Sequence, residues 1–264
     1  MIKANILNIA KVLLFWILFE ILMNGIGTLI PNSVNWLYGA SIGGSVSIGL
    51  LGVTFLFLKY DKLNFVDMGL NFNAGSLIRL ILSLVTGMTF FGCFYLVYLW
   101  LTPVIIVDIH VKSVINIILL SLLSLLMLAA MEEIAFRGYA LKKLETIIGP
   151  RGAIYLTSLA FGLYHGFAFD SITGPAVWGL LYAVLAYWSK GLAVPIGFHA
   201  GANLIQALFG EKSRYADGIW AFDLADKITP FTVDQITPFL KIFLFVLGVL
   251  LVEIYLYQRK KSAS

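Results

Sequence analysis

Apolar residues recur along this chain in eight runs of roughly membrane-spanning length, separated by polar or Gly/Pro-bearing joints. The runs are Ile6 to Thr28, Trp36 to Leu58, Ser76 to Trp100, Ser113 to about Arg137, Arg151 to Phe167, Pro175 to Trp188, Leu192 to Phe209 and Thr237 to Tyr257. A helix needs about 20 apolar residues to cross hydrocarbon. The pattern therefore predicts an all-α, polytopic membrane helix bundle of about eight transmembrane helices. The sixth and seventh runs are short and contain Gly or Pro. The longest polar insertion, Gly210 to Ile236, holds Trp220, Phe222 and Phe231, aromatic residues suited to the headgroup level. With no internal repeat and no low-complexity stretch, residues 1–264 read as one integral membrane domain.

Composition supports lipid as the solvent. The chain is 60% hydrophobic and only 12% charged, with a mean hydropathy of +0.94. Soluble domains carry about 25% charged residues. Loop charge then orients the bundle. With the N-terminus in the cytoplasm and the runs alternating, 13 Lys and Arg fall inside, from Lys3 to the Arg259–Lys261 cluster. Five fall outside: Lys112, Lys212, Arg214, Lys227 and Lys241. This is the asymmetry of the positive-inside rule, and it predicts both termini in the cytoplasm. The chain is expected to be multi-pass, in the cytoplasmic membrane if the host is bacterial. The N-terminal run has no small-x-small cleavage site and reads as a retained helix. The lone Cys93 excludes an internal disulfide and reads as a core or lipid-facing residue. The basic residues form no dense patch with interleaved aromatics, so nucleic acid is not an expected partner.

Ionisable side chains in hydrocarbon mark function or pairing by default. Here they cluster in three consecutive segments: LAAMEEIAFRGYAL with Glu132, Glu133 and Arg137, LAFGLYHGF with Phe161 and His165, and VPIGFHAGAN with His199 and Asn203. Of the three histidines only His110 lies elsewhere, in a loop. A turn at Gly149–Pro150, where proline starts the next helix, puts Glu132 and His165 each roughly 22–25 Å from the inner turn at 1.5 Å per residue. His199 and Asn203 come to a comparable depth, roughly 14–20 Å from Lys190. Three helices thus deliver two carboxylates, two imidazoles and an amide to similar depth.

Spacing refines the set. His199 and Asn203 are i, i+4 and share a helix face, as do Phe161 and His165, so Phe161 walls one side of that imidazole. Glu133 and Arg137, also i, i+4, are placed to pair. Glu132 and Glu133 point about 100° apart, so one carboxylate can face Arg137 while the other faces a cavity. Taken singly, Arg137 reads as a snorkelling side chain and Asn203 as interhelical glue. The adjacent glutamates have no such packing explanation.

Together, E-E-x-x-x-R (Glu132, Glu133, Arg137), F-x-x-x-H (Phe161, His165) and H-x-x-x-N (His199, Asn203) resemble the three motifs of the CAAX protease and bacteriocin-processing family, also called the CPBP or Abi intramembrane peptidases. The match is complete and in order across a motif-bearing core at 113–209. The first three helices and the last resemble the family only in being hydrophobic. The resemblance implies a polar cavity among the motif helices and peptide-bond hydrolysis in or near the membrane, in the manner of a type II CAAX prenyl endopeptidase. Eukaryotic members trim prenylated CaaX tails; bacterial members are linked to peptide maturation and bacteriocin self-immunity.

The expected chemistry is amide hydrolysis by an activated water, with an oxyanion stabiliser and a proton for the leaving amine. Glu132 would activate the water, His165 would help hold it, His199 and Asn203 would stabilise the oxyanion, and Glu133 would pair with Arg137. The rival is a zinc site of Glu132, His165 and His199 with an open fourth position, and ligand type alone leaves metal-free and metal-dependent hydrolysis both open. The absence of H-E-x-x-H and of G-x-S-x-G removes the helical zincin and serine-elbow arrangements. The expected partners are the bilayer and a peptide or protein tail at the membrane, lipidated or not. Two other functions use the same residues: a proton-coupled transporter, and a non-catalytic scaffold or self-immunity factor.

Overall fold

The computed structural model describes residues 2–31, 35–71, 73–108 and 113–263; His110, noted above, lies outside them. The chain is a helix bundle: α1 (Ile2–Leu29), α2 (Asn35–Asp61), α3 (Ala74–Leu101), α4 (Val114–Glu133), α5 (Tyr139–Tyr164), a one-turn α6 (Phe169–Thr173), α7 (Pro175–Ser189), α8 (Ala193–Leu208) and α9 (Val233–Ala263). Among the described residues, five helical stretches are long and apolar enough to cross a membrane. One of them, Val114–Tyr164, is 51 residues long. It reverses at Gly149, whose φ of 72° is easily reached only by a residue without a β-carbon. The reversal brings Glu132 and His165 within 4.0 Å of each other. Helices α7 and α8, with 15 and 16 residues, are the short elements that the sequence pattern marks.

Outward faces are apolar. Ile17 and Ile21 on α1, Leu77 and Ile81 on α3, and Ile242 and Phe243 on α9 are exposed, as a surface bathed in acyl chains requires. Cys93 is exposed on α3. Inside, Phe19 meets Phe136 edge-on, and Phe136 meets Phe161 in the same way, tying α1 to the motif helices.

Polar contacts sort the helix ends onto two sides. At one end Asp61 accepts from Tyr139 at 2.8 Å and pairs with Lys143 and Lys11, while Glu145 accepts from Tyr187 and pairs with Arg259. Arg151 pairs with Glu253 there. At the opposite end Asn35 donates to Asp217, Arg214 to the Tyr38 hydroxyl, and Ser124 to the Tyr215 carbonyl.

Three local features depart from the sequence expectation. The fourth run does not stop near Arg137: α4 continues through a π-helical turn, Ile134–Gly138, into α5. No proline interrupts it, and Gly138 stays buried within the helix. The fifth run ends at Tyr164 and not at Phe167, because the chain turns away at Gly166 with φ 134°. Finally, β1 (Val104–Asp108) pairs antiparallel with β2 (Trp220–Leu224), so part of the polar insertion is folded onto the bundle end. Phe222 stacks on Phe209 and Tyr95, with ring centroids 4.7 and 5.2 Å away.

Candidate active site

The glutamate pair stands at the end of α4, immediately before the π turn. Such turns add a residue to the helical repeat and re-aim neighbouring side chains. Adjacent residues on this helix point in different directions, and the two carboxylates accordingly separate. Glu132 lines a cavity of about 570 Å³. Glu133 faces away from it and has no solvent exposure. The expected i, i+4 pair forms, with Arg137 Nη1 3.5 Å from Glu133 Oε1. Arg137 is also fully enclosed: its Nη2 donates to the Gly179 carbonyl at 3.1 Å, and its guanidinium lies 4.5 Å from the centre of the Phe161 ring. It does not snorkel.

His199 is held on α8, which lies close along α3. A β-carbon at Gly201 would stand 2.1 Å from the Leu84 carbonyl oxygen. Only glycine permits this approach, and Gly197-x-x-x-Gly201 has the small-residue spacing of close helix crossings in membranes. The buried His199 ring is clamped on three sides. Its Nδ1 is 3.0 Å from Glu133 Oε1, Tyr182 stacks on it at 4.3 Å and 17°, and Phe161 meets it edge-on at 5.9 Å. A carboxylate only accepts, so Nδ1 carries a proton, and Nε2 is turned to Glu132, 3.5 Å from Oε2.

His165 caps the end of α5. Its Nδ1 is 2.9 Å from the Phe161 carbonyl oxygen, so that nitrogen is the donor and Nε2 faces Glu132 Oε1 at 4.0 Å. The Phe161 ring lies 4.6 Å from it. Its side chain is 34% exposed, against 5% for His199, so the two imidazoles differ in access to water. Asn203 lines the cavity one turn beyond His199, and its amide has no hydrogen-bond partner among the described residues.

The seven residues singled out from sequence thus form one connected group in two layers. Glu132, His165, His199, Asn203 and Phe161 line the cavity; Glu133 and Arg137 lie behind it. Glu133 bridges Arg137 and His199 through one oxygen. Among the cavity residues without a sequence signal are Tyr182, Gln206 and Lys212. Lys212 enters from the loop after α8, and burial pushes its ammonium below the usual lysine range, partly opposed by the charge of Glu132.

The donor set Glu132, His165 and His199 has the chemistry of a zinc site, and in both rings the nitrogen facing Glu132 is backed by a bond on the other nitrogen, as second-shell partners do. Among the described residues no group of three His, Cys, Asp or Glu is disposed to hold a metal ion.

Residues 114–205 match the family model described as type II CAAX prenyl endopeptidase Rce1-like. No curated protein and no solved structure matches the chain. The matched span begins at the second residue after Lys112, ends two residues after Asn203, and contains all three motifs and both imidazoles of the cavity. Residues 114–205 are therefore similar to the type II CAAX prenyl endopeptidase Rce1-like family, within a multi-pass membrane helix bundle.

Proposed function

We propose that this protein is an intramembrane endopeptidase in which Glu132 activates the attacking water. One observation carries the reading: each oxygen of Glu132 faces the Nε2 of a different imidazole, 4.0 Å to His165 and 3.5 Å to His199, on the wall of a cavity large enough for a peptide segment.

Glu132 takes a proton from a water held beside His165, and the resulting hydroxide attacks the scissile carbonyl carbon. The proton then passes from Glu132 to the leaving nitrogen as the C–N bond breaks. This is general acid–base catalysis by one carboxylate. The oxyanion formed on attack is met by the Asn203 amide and by the Nε2–H of protonated His199. Glu133 supports the imidazolium through Nδ1, and the Tyr182 face adds to it.

The substrate is a peptide bond in a membrane-associated peptide or protein tail. Membranes carrying the wild type and Glu132→Gln at equal expression are compared for protein termini. New termini present only with the wild type support the reading; identical profiles, with the variant inserted and folded, contradict it.

A further inference from the structure

A second cavity, of about 640 Å³, lies at the end of the bundle that carries Glu145, and it shares no lining residue with the one around Glu132. Three helices and one short turn build its walls. Helix α5 supplies Lys142 and Glu145, α7 supplies Tyr187 and Trp188, and α9 supplies Tyr255 and Arg259. A single 3₁₀ turn, Val66–Met68, contributes the remaining side. That turn is locked to the α7–α8 joint. Leu192 donates to the Gly69 carbonyl at 3.0 Å, and a β-carbon on Gly69 would stand 2.6 Å from the Gly191 Cα.

The cations of this cavity outnumber its carboxylates: Lys142, Lys190 and Arg259 against Asp67 and Glu145. Both carboxylates are engaged. Glu145 accepts from Tyr187 at 3.0 Å and pairs with Arg259 at 2.6 Å, and Asp67 accepts from the Asn64 backbone N–H at 2.8 Å. The lysines are not. Lys142 stands 4.0 Å from Glu145, beyond hydrogen-bond reach, with its ammonium 5.2 Å from the centre of the Tyr187 ring. The Lys190 side chain has no ion-pair or hydrogen-bond partner among the described residues. Lys190 also lies in the left-handed region, with φ 52° and ψ 37°, at the position closing α7 where glycine is the usual residue. A side chain there carries a conformational cost that glycine avoids, yet the chain places a cation there, directly before Gly191. The result is a cleft whose ammonium donors are open to an anion.

The surroundings are those of a lipid headgroup. Trp188 is exposed, and its indole N–H donates to Gln258 at 3.2 Å, in keeping with the level where Trp and Tyr gather in membranes. Leu250, Ile254 and Gln258 fall at four-residue intervals on α9, and so on one face. Leu250 and Ile254 are exposed, and Gln258 lines the cavity. An apolar strip therefore runs from the cavity toward the middle of the bundle, in the direction an acyl chain would take.

We propose that this cavity binds the headgroup of an anionic phospholipid, its phosphate met by Lys142, Lys190 and Arg259 and an acyl chain laid along Leu250 and Ile254. Bound there, the lipid ties α5, α7 and α9 together at their shared end. The site is separate from that of Glu132 and stands whether or not the protein cleaves peptides.

The test measures phosphatidylglycerol binding to the purified protein in detergent by native mass spectrometry, beside the rise in its unfolding midpoint. Lys190→Gly removes the cation and suits the left-handed backbone, so loss of the fold does not confuse the result. Lys142→Gln is the second variant. Lys59→Gln, in the last turn of α2 at the same end but outside the cavity, is the control. Wild type and Lys59→Gln are expected to bind phosphatidylglycerol with equal affinity and to gain in midpoint. Each cavity variant is expected to bind about five-fold more weakly, the weight of one lysine at an anionic surface. Phosphatidylcholine, and glycerol 3-phosphate at the same concentration, are expected to leave the midpoint unchanged. Equal affinity in the cavity variants and the wild type, or an equal loss in Lys59→Gln, would overturn the proposal. A midpoint raised as much by glycerol 3-phosphate would overturn the lipid as occupant, and one raised as much by phosphatidylcholine would overturn the selection for an anionic headgroup.

Discussion

His199 Nδ1 lies 3.0 Å from Oε1 of the fully buried Glu133. The contact fixes which nitrogen of the ring points to the cavity, and it makes Glu133 a positioning residue that does not itself touch a peptide. Replacing Glu133 by Gln keeps the volume but removes the charge that supports an imidazolium. The account predicts a fall in kcat of about 10²-fold, the scale of a catalytic group displaced by about 1 Å, with KM near the wild-type value and the protein still folded. Steady-state kinetics of the purified variant check it, and an unchanged kcat would count against the role.

Arg137 is the buried counter-charge of the same carboxylate. Arg137→Leu leaves Glu133 with only His199 to oppose it. Removing one member of a buried pair typically costs about 3–5 kcal/mol. A large drop in unfolding midpoint in detergent or nanodiscs is expected, far beyond that of Glu132→Gln, whose carboxylate borders the cavity. Equal midpoints for the two variants would contradict the two-layer arrangement.

Gly201 sets how close α8 comes to α3. With a β-carbon 2.1 Å from the Leu84 carbonyl, Gly201→Ala must push the helices apart. Overpacking of this kind costs about 1–3 kcal/mol, and here it also shifts His199 and Asn203. The expected outcome is a lowered unfolding midpoint together with a loss of activity larger than the residual fold accounts for. Thermal unfolding and kinetics of one preparation decide it.

Much of this site was legible because membrane helices make charge conspicuous. Glu132, Glu133 and Arg137 stood out as ionisable groups in an apolar run, and helical spacing paired Glu133 with Arg137. Gly149–Pro150 announced the reversal. The bond from Glu133 to His199 was not legible, since it joins residues 66 apart whose meeting depends on the α3–α8 approach. The π turn after Glu133 has no sequence mark of its own. Tyr182 reads as one more aromatic on a short apolar helix until it is seen stacked on His199. Lys212 reads as a loop charge until the loop folds over the cavity. The Val104–Asp108 strand was not legible either, since its partner lies more than 100 residues away.

Chelation distinguishes metal-free hydrolysis from the zinc alternative at Glu132, His165 and His199. In the metal-free account, cleavage is predicted to proceed at an unchanged rate after exhaustive chelation, and added zinc is predicted not to raise it. Loss of activity on chelation, restored by zinc in proportion to the metal bound, would replace the metal-free account with the metal-dependent one.

The most direct measurement is the cleavage of a peptide bearing a Glu132-dependent site by purified protein in lipid, comparing wild type with Glu132→Gln. General-base catalysis is worth about 10²–10⁴-fold. The account predicts a loss of that size in kcat, with little change in KM and an unfolding midpoint close to the wild type. A folded Glu132→Gln protein that cleaves within a few-fold of the wild-type rate would contradict the assignment of Glu132 as the base.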